Sequence, residues 1–292
     1  MRLATIKVNS NEECCMVIDE KCLLISDLNE CMNKGFRTDF LEMIENDEID
    51  SLNEYYKNLN NEELKLFSDK FLDIKNVKFA PLYRKPNKIW GIGLNYKNHA
   101  ADLKEVSPSE EPASFMKPNT AIIGFNDNIE IPIQSNKTTG EAELGVIIGK
   151  KCKDIEMDDW LSVVAGYTTI IDMTAEDILR KNPRFLTRSK SFDTFFSFGP
   201  VFITPDEIED VLKLEVSTVI NNEIYAKNVV SNMTFTPDYL VSFHSKVMTL
   251  LPGDIISTGT PRAVHINDGD VVECRITGFR SLINSVVDKK IL

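Results

Sequence analysis

The sequence lacks what marks a membrane or exported protein. No stretch reaches the ~18 consecutive apolar residues that a spanning helix needs. The opening MRLATIKVNSNEECC has neither the basic region nor the apolar run of a signal peptide. Metal-binding cysteine spacing is missing too. Cys14, Cys15, Cys22, Cys31, Cys152 and Cys274 form no C-x-x-C pair, and His99, His244 and His265 do not stand beside them in ligand spacing. A zinc site is therefore not expected, and free thiols in a reducing cytoplasm are. Basic charge is in deficit: 33 Lys+Arg against 45 Asp+Glu leave a net charge of −12. A polyanion such as nucleic acid is repelled by such a chain. Neither nucleic acid nor a membrane is an expected partner, and the cytoplasm is the expected location.

What is present describes a globular enzyme-sized protein. With 292 residues, 42% hydrophobic and 27% charged, the chain can bury a sizeable core. LATIKV, CCMVI and KCLLI alternate as strands do, and TDFLEMIEND and NEELKLFSDKFLDI carry helical periodicity. APLYRKPNK reads as a linker, so residues 1–80 are expected to form a small N-terminal α+β domain and 81–292 a catalytic domain. KIWGIGL, ELGVIIG, VVAGYTTIID, PVFIT, KLEVSTVI and DVVECRI are β-branched runs bounded by turn residues. In this second part helices are fewer, expected near 97–104, 174–182 and 236–248. The fold class is α+β, with a mixed, largely antiparallel sheet system rolled into a barrel or sandwich.

Several residue types could carry chemistry. Glu141 and Glu143, in TTGEAELGVIIGK, are two apart and share one face of a strand. Two such carboxylates repel unless one is protonated or a cation lies between them. Asp172 ends another apolar strand and offers a third hard oxygen ligand, suited to magnesium, manganese or calcium. E-x-E alone does not separate this reading from two solvated glutamates on an edge strand. His99 has Asp102 three residues on, a spacing that would let the acid orient a general base; a surface histidine near a chance aspartate is the alternative. Lys190 stands among aromatics that could partly desolvate it, with an ordinary surface lysine as the alternative, and STGTPR could offer turn N–H groups to an anion or be an ordinary turn. His244 reads as structural, and His265 has no evident partner.

Taken together, GIGLNYKNHAAD, SFMKP, GEAELGVIIGK, AGYTTIIDMTAED, KSFDTFFSFGP, LLPGDIISTGTP and GDVVECRITGF stand in the order and spacing of the fumarylacetoacetate hydrolase (FAH) family. The resemblance runs from about residue 88 to the C-terminus. It extends to the family's acylpyruvase-like and 2-hydroxyhepta-2,4-diene-1,7-dioate isomerase-like members. It implies a mixed β-roll catalytic domain, a homodimer, and Mg²⁺ (or Mn²⁺, with Ca²⁺ a further candidate) held by Glu141, Glu143 and Asp172. It also implies catalytic roles for His99, Asp102 and Lys190, and substrate contacts for Lys117 and Thr260. The family's acid after the histidine is commonly a glutamate, where this chain has the shorter Asp102.

Departures from the pattern concern the substrate more than the metal. Glu176 stands where the family often has arginine in N-D-x-T-A-R-D, and Ala226 where it has glutamine. Asn232-Met233 replaces its D-M motif, and Arg262 a glycine. Arg184 or Arg188 could supply the missing positive charge, and Arg188 is carried forward as the substrate-binding candidate. The implied function is metal-dependent hydrolysis of a C–C bond in a small acylpyruvate-like 2-oxo acid, through an enolate. Isomerase, decarboxylase or lyase chemistry on a hydroxy-dienoate, oxaloacetate or ureidoglycolate is the alternative within enzymes. A non-catalytic protein that binds metal and 2-oxo acid is the alternative outside them.

Overall fold

In a computed structural model of the chain, which describes residues 1–96, 108 and 110–291, the β-branched runs become strands of two sheets. In chain order they are β1 (Arg2–Val8), β2 (Asn11–Ile18), β3 (Lys21–Leu24), β4 (Leu72–Asp73), β5 (Ile89–Gly93) and β6 (Ala113–Met116). Next come β7 (Ile122–Ile123), β8 (Asn128–Ile131), β9 (Thr138–Ile148), β10 (Val164–Ala175), β11 (Phe196–Ile203) and β12 (Glu215–Ile220). The last are β13 (Glu223–Val229), β14 (Ile255–Ser257), β15 (Val264–His265), β16 (Val271–Ile276) and β17 (Leu282–Asp288).

The larger sheet runs β4-β3-β2-β1-β11-β10-β9-β14-β5-β6, with β7 on β11 and β15 on β9; the smaller runs β13-β12-β16-β17-β8. Pairing is antiparallel except at β7–β11, β5–β14 and β8–β17. The chain is thus α+β with mixed, sheet-dominated architecture, as expected. Among the described residues β4 and β6 end the larger sheet without meeting, so no barrel closes there.

The first strands do not stand apart from the rest. β1 pairs with β11, and its alternate residues serve two cores. Leu3, Cys14, Met16 and Leu23 face the main core, while Ala4, Ile6, Cys15 and Val17 join Val201 and Ile203 in a second cluster. All six cysteines are free, and only Cys31 is exposed. Among the described residues no helix is long and apolar enough to cross a membrane.

Helices depart from the sequence reading in informative ways. Phe40–Glu45 is capped by Asp39, and Asn61–Leu66 by a capping box of Asn60 and Glu63. The second stops at Leu66, well short of the periodic run, because Leu72–Asp73 pairs with β3 instead. Ile25–Met32 and Ile49–Asn58 were not expected. The first begins without a side-chain cap directly after β3, and the second buries only Ile49 and Leu52. Of the three helices expected downstream, two are Glu176–Lys181 and Pro237–Val247. The third, at 97–104, lies outside the described residues.

The centre of the larger sheet is β9 beside β10, and every residue of both is buried. On its other side β9 is covered by β14 at Gly145–Ile147 and by β15 at Thr139–Gly140. Between these two, among the described residues, no strand of the larger sheet pairs with the Ala142 N–H, which donates to the Thr218 hydroxyl of β12 at 3.1 Å. The turn that crosses this gap is tied down by Asn95, just past β5. The Asn95 amide donates to the carbonyls of Phe235 (2.9 Å) and Thr258 (2.7 Å) and accepts the Phe235 N–H at 2.9 Å. Gly259 follows with φ +97°, and a Cβ there would stand 2.8 Å from Asn95 Cβ.

Asn95→Ala orphans buried backbone groups, each costing about 1–3 kcal/mol. We expect unfolding free energy to fall by about 2–4 kcal/mol, seen as a lower urea midpoint at unchanged slope. A loss below about 1 kcal/mol would show that the turn holds itself.

Candidate metal centre and substrate cavity

Register places the acids. Residues two apart share a strand face, so Thr139, Glu141 and Glu143 line up along β9. Across the ladder Asp172 is paired with Glu141, and Thr174 with Thr139. One carboxylate oxygen from each of Glu141, Glu143 and Asp172 lies within 4.8 Å of the others, and all three residues are buried.

Each acid is held in a different way. Glu141 Oε1 accepts from the hydroxyls of Thr139 (2.9 Å) and Thr174 (2.6 Å), and its Oε2 accepts from Lys190 Nζ at 2.9 Å. Asp172 lies between two lysines: Lys117 Nζ donates to Oδ1 and Lys190 Nζ to Oδ2, the latter at 2.7 Å. Glu143 Oε2 accepts from the Ser257 hydroxyl and, at 2.8 Å, from the Gly259 N–H. The positive φ at Gly259 therefore serves the site as well as the fold.

Burial sets the electrostatics. It pushes the Glu143 carboxyl up to about 8, helped by the charge of Asp172 and opposed by Lys190 and Ser257. Burial also lowers Lys117, although Asp172 beside it favours the ammonium. At Lys190 burial again disfavours charge, but Asp172, Glu141 and Glu143 outweigh it and hold the pKa above the ordinary lysine value. Its Nζ also sits 4.8 Å from the centroid of the Phe115 ring. That ring has room only because residue 91 is glycine; a Cβ there would stand 2.2 Å from it.

The cluster opens on a cavity of about 390 Å³ lined in part by Thr139, Glu141, Thr174, Lys190 and Thr260. Thr260 donates to the Arg262 carbonyl at 3.1 Å. Glu141, Glu143, Asp172, Lys117 and Lys190, drawn from four separate segments, thus meet at one place. Arg188 does not join them: it donates to Gln134 Oε1 at 2.9 Å and is not among the described residues lining the cavity. His99 and Asp102 lie outside the described residues. His244 is buried between the Ser114 hydroxyl and the Leu240 carbonyl, 2.7 Å from each, and packs on Trp90.

Sequence reasoning passed over Thr139, Thr174, Ser257 and Arg180. The same two-residue period that pairs Glu141 with Glu143 also reaches Thr139, and from Asp172 it reaches Thr174. Arg180 was within reach through its i,i+4 relation to Glu176.

The residues fit a hard divalent cation. The donors are carboxylate oxygens, they are buried together, and among the described residues three acids face two ammonium groups. A proton on Glu143 relieves that imbalance, and a cation would replace the proton.

Comparison with known proteins identifies the family. The pattern of the fumarylacetoacetate (FAA) hydrolase C-terminal family matches residues 88–287. An uncharacterized protein of Methanocaldococcus jannaschii is 41% identical over 245 residues, 83% of this chain and 98% of that protein. The mitochondrial oxaloacetate tautomerase FAHD2A of Homo sapiens is 34% identical over 220 residues, 72% of this chain and 70% of that one. Among solved structures, maleylpyruvate hydrolase from Sphingobium sp. SYK-6 in complex with manganese(II) ion and pyruvate superimposes with TM-score 0.78. It is 26% identical, and the match covers 99% of both chains. With the family pattern spanning more than half of its length and a relative matched almost end to end, the chain belongs to the fumarylacetoacetate hydrolase family.

Proposed function

We propose that the chain is a magnesium- or manganese-dependent hydrolase that cleaves a C–C bond in a small acylpyruvate-like 2-oxo acid. One observation carries the reading: three buried carboxylates converge beside a cavity, with a lysine ammonium bonded to two of them. A divalent cation held by Glu141, Glu143 and Asp172 would supply Lewis acidity to the adjoining carboxylate and keto oxygens of such an acid.

The chain's own groups account for the rest. Lys190 holds a positive charge where the keto oxygen gains negative charge as the neighbouring bond breaks. The Phe115 ring covers that ammonium on one side. Thr139 and Thr174 fix Glu141 through one oxygen, leaving the other to Lys190. In hydrolysis the departing acyl carbon takes the hydroxyl of water and the pyruvate carbon takes a proton. We assign movement of these protons to His99 and Asp102, the positions that match the family motif in the sequence. A second reading is keto–enol tautomerisation, favoured by the curated relatives named as oxaloacetate tautomerases. It needs the same charge stabilisation and no water.

Acetylpyruvate and oxaloacetate, each with and without Mg²⁺ or Mn²⁺, separate the readings. Cation-dependent release of acetate and pyruvate supports the hydrolase, enol exchange of oxaloacetate alone supports the tautomerase, and neither supports a binding protein. Lys190→Met should lower turnover about 10²–10³-fold while cation binding, followed by calorimetry, persists. Undiminished turnover would remove Lys190 from the chemistry.

Glu143 gives a pH test. Below about 8 its carboxyl is protonated in the metal-free protein, and a cation must displace that proton. Affinity for Mn²⁺ should therefore tighten by up to about tenfold per pH unit between pH 6 and 8, then level off. Over the same window the metal-free protein should lose stability as pH rises. The unfolded chain has already released this proton at lower pH, so the folded state binds more protons. A dissociation constant flat across that range would separate Glu143 from the ion.

A further inference from the structure

Four charged residues line the cavity among the described residues: Glu141, Lys190, Glu176 and Arg180. The first two belong to the acid cluster. The other two stand on the helix Glu176–Lys181, which directly continues β10, and are bonded to each other. Arg180 gives both Nε and Nη2 to Glu176 Oε1, and Lys137 Nζ meets Oε2 at 2.8 Å. Both oxygens of Glu176 are thus engaged, and its side chain is only 12% exposed. Burial opposes its charge, but Lys137 and Arg180 hold its carboxyl below the ordinary range, so it stays ionised.

An arginine in a cavity normally serves to grip a carboxylate. Here the chain supplies that carboxylate itself, one helical turn earlier. A substrate's second carboxylate entering this part of the cavity would compete for Arg180 and meet a like charge on Glu176. Much of the remaining lining is apolar, including Ile92, Leu94, Ala113, Leu179, Pro183 and Leu186. An uncharged tail loses nothing to Glu176 and buries its surface against these side chains.

We infer that the Glu176–Arg180 pair is a specificity element that turns away dicarboxylic 2-oxo acids and leaves the cavity to those with an uncharged acyl or alkyl tail. The inference rests on the proposed function and states which 2-oxo acids that function accepts. Glu176 acts as a selecting and positioning residue, with no part in bond breaking.

The test compares two acids of equal chain length, 2-oxopentanoate and 2-oxoglutarate, which differ only in a terminal methyl or carboxylate. Dissociation constants are measured by calorimetry on the full chain with saturating Mn²⁺. The unaltered protein should bind 2-oxopentanoate about tenfold more tightly. Glu176→Gln should free Arg180 and erase or reverse that ratio. Arg180→Met, which keeps the carboxylate and removes one of its two cationic partners, should widen it. A preference of the unaltered protein for 2-oxoglutarate overturns the inference alone. So does a ratio that neither variant moves. Failure of the Mn²⁺-loaded protein to bind either acid overturns the proposed function, and the inference with it.

Discussion

Three carboxylates on one face of a fully buried strand pair form a constraint that much of the molecule answers. Burying an unpaired charge costs several kcal/mol, and Glu141, Glu143 and Asp172 are all buried. The β9–β10 pair cannot neutralise them itself, since its remaining polar groups there are threonine hydroxyls. Compensation arrives from elsewhere: Lys117 just past β6, Lys190 at the end of a short helix before β11, and Ser257 to Gly259 at the end of β14. The order of strands in the larger sheet, with β14 beside β9 and β11 beside β10, brings these segments to one point. Topology and site thus solve one electrostatic problem.

How far the sequence revealed this depends on whether a feature is local or tertiary. The two-residue period of a strand made the shared face of Glu141 and Glu143 legible, and it reached Thr139 and Thr174 equally well. That Asp172 stands directly across from Glu141 is a matter of register, which no local pattern specifies. Lys190 had a surface lysine as its local alternative, and only its two buried partners decide otherwise. The helix Ile25–Met32 was hidden because KCLLI reads as continuous strand, while the chain turns helical at Ile25. The long helical period after Asn61 was misleading for the opposite reason. Strand pairing at β4 captured its second half.

The arginine question shows how much hangs on a helix boundary. Arg180, Arg184 and Arg188 are spaced by four, as if on one helical face, and a continuous helix would have aligned them. Asn182 is extended at φ −163° and Pro183 begins a new turn, so the alignment breaks there. Arg180 remains on the first helix, paired with Glu176 and facing the cavity. Arg188 belongs to a separate short helix, Leu186–Lys190, and reaches Gln134. The arginine that lines the cavity is therefore Arg180, not the expected Arg184 or Arg188, and an acid of the same helix already occupies it.

The two charged clusters differ in exposure, and this divides their work. In the first, the acids and lysines have side chains at most 9% exposed, so a cation entering it meets an almost unscreened field. In the second, Arg180 is 58% exposed and Lys137 45%, and water and salt screen their charges. On the proposed function, binding strength would come chiefly from the buried cluster, at the 2-oxo acid end common to every candidate substrate. The half-exposed cluster can shift preference between tails only modestly, mostly through Glu176, its one largely buried member. An acceptor cavity with a strong, general grip and a weak, particular filter is what that difference in solvation produces.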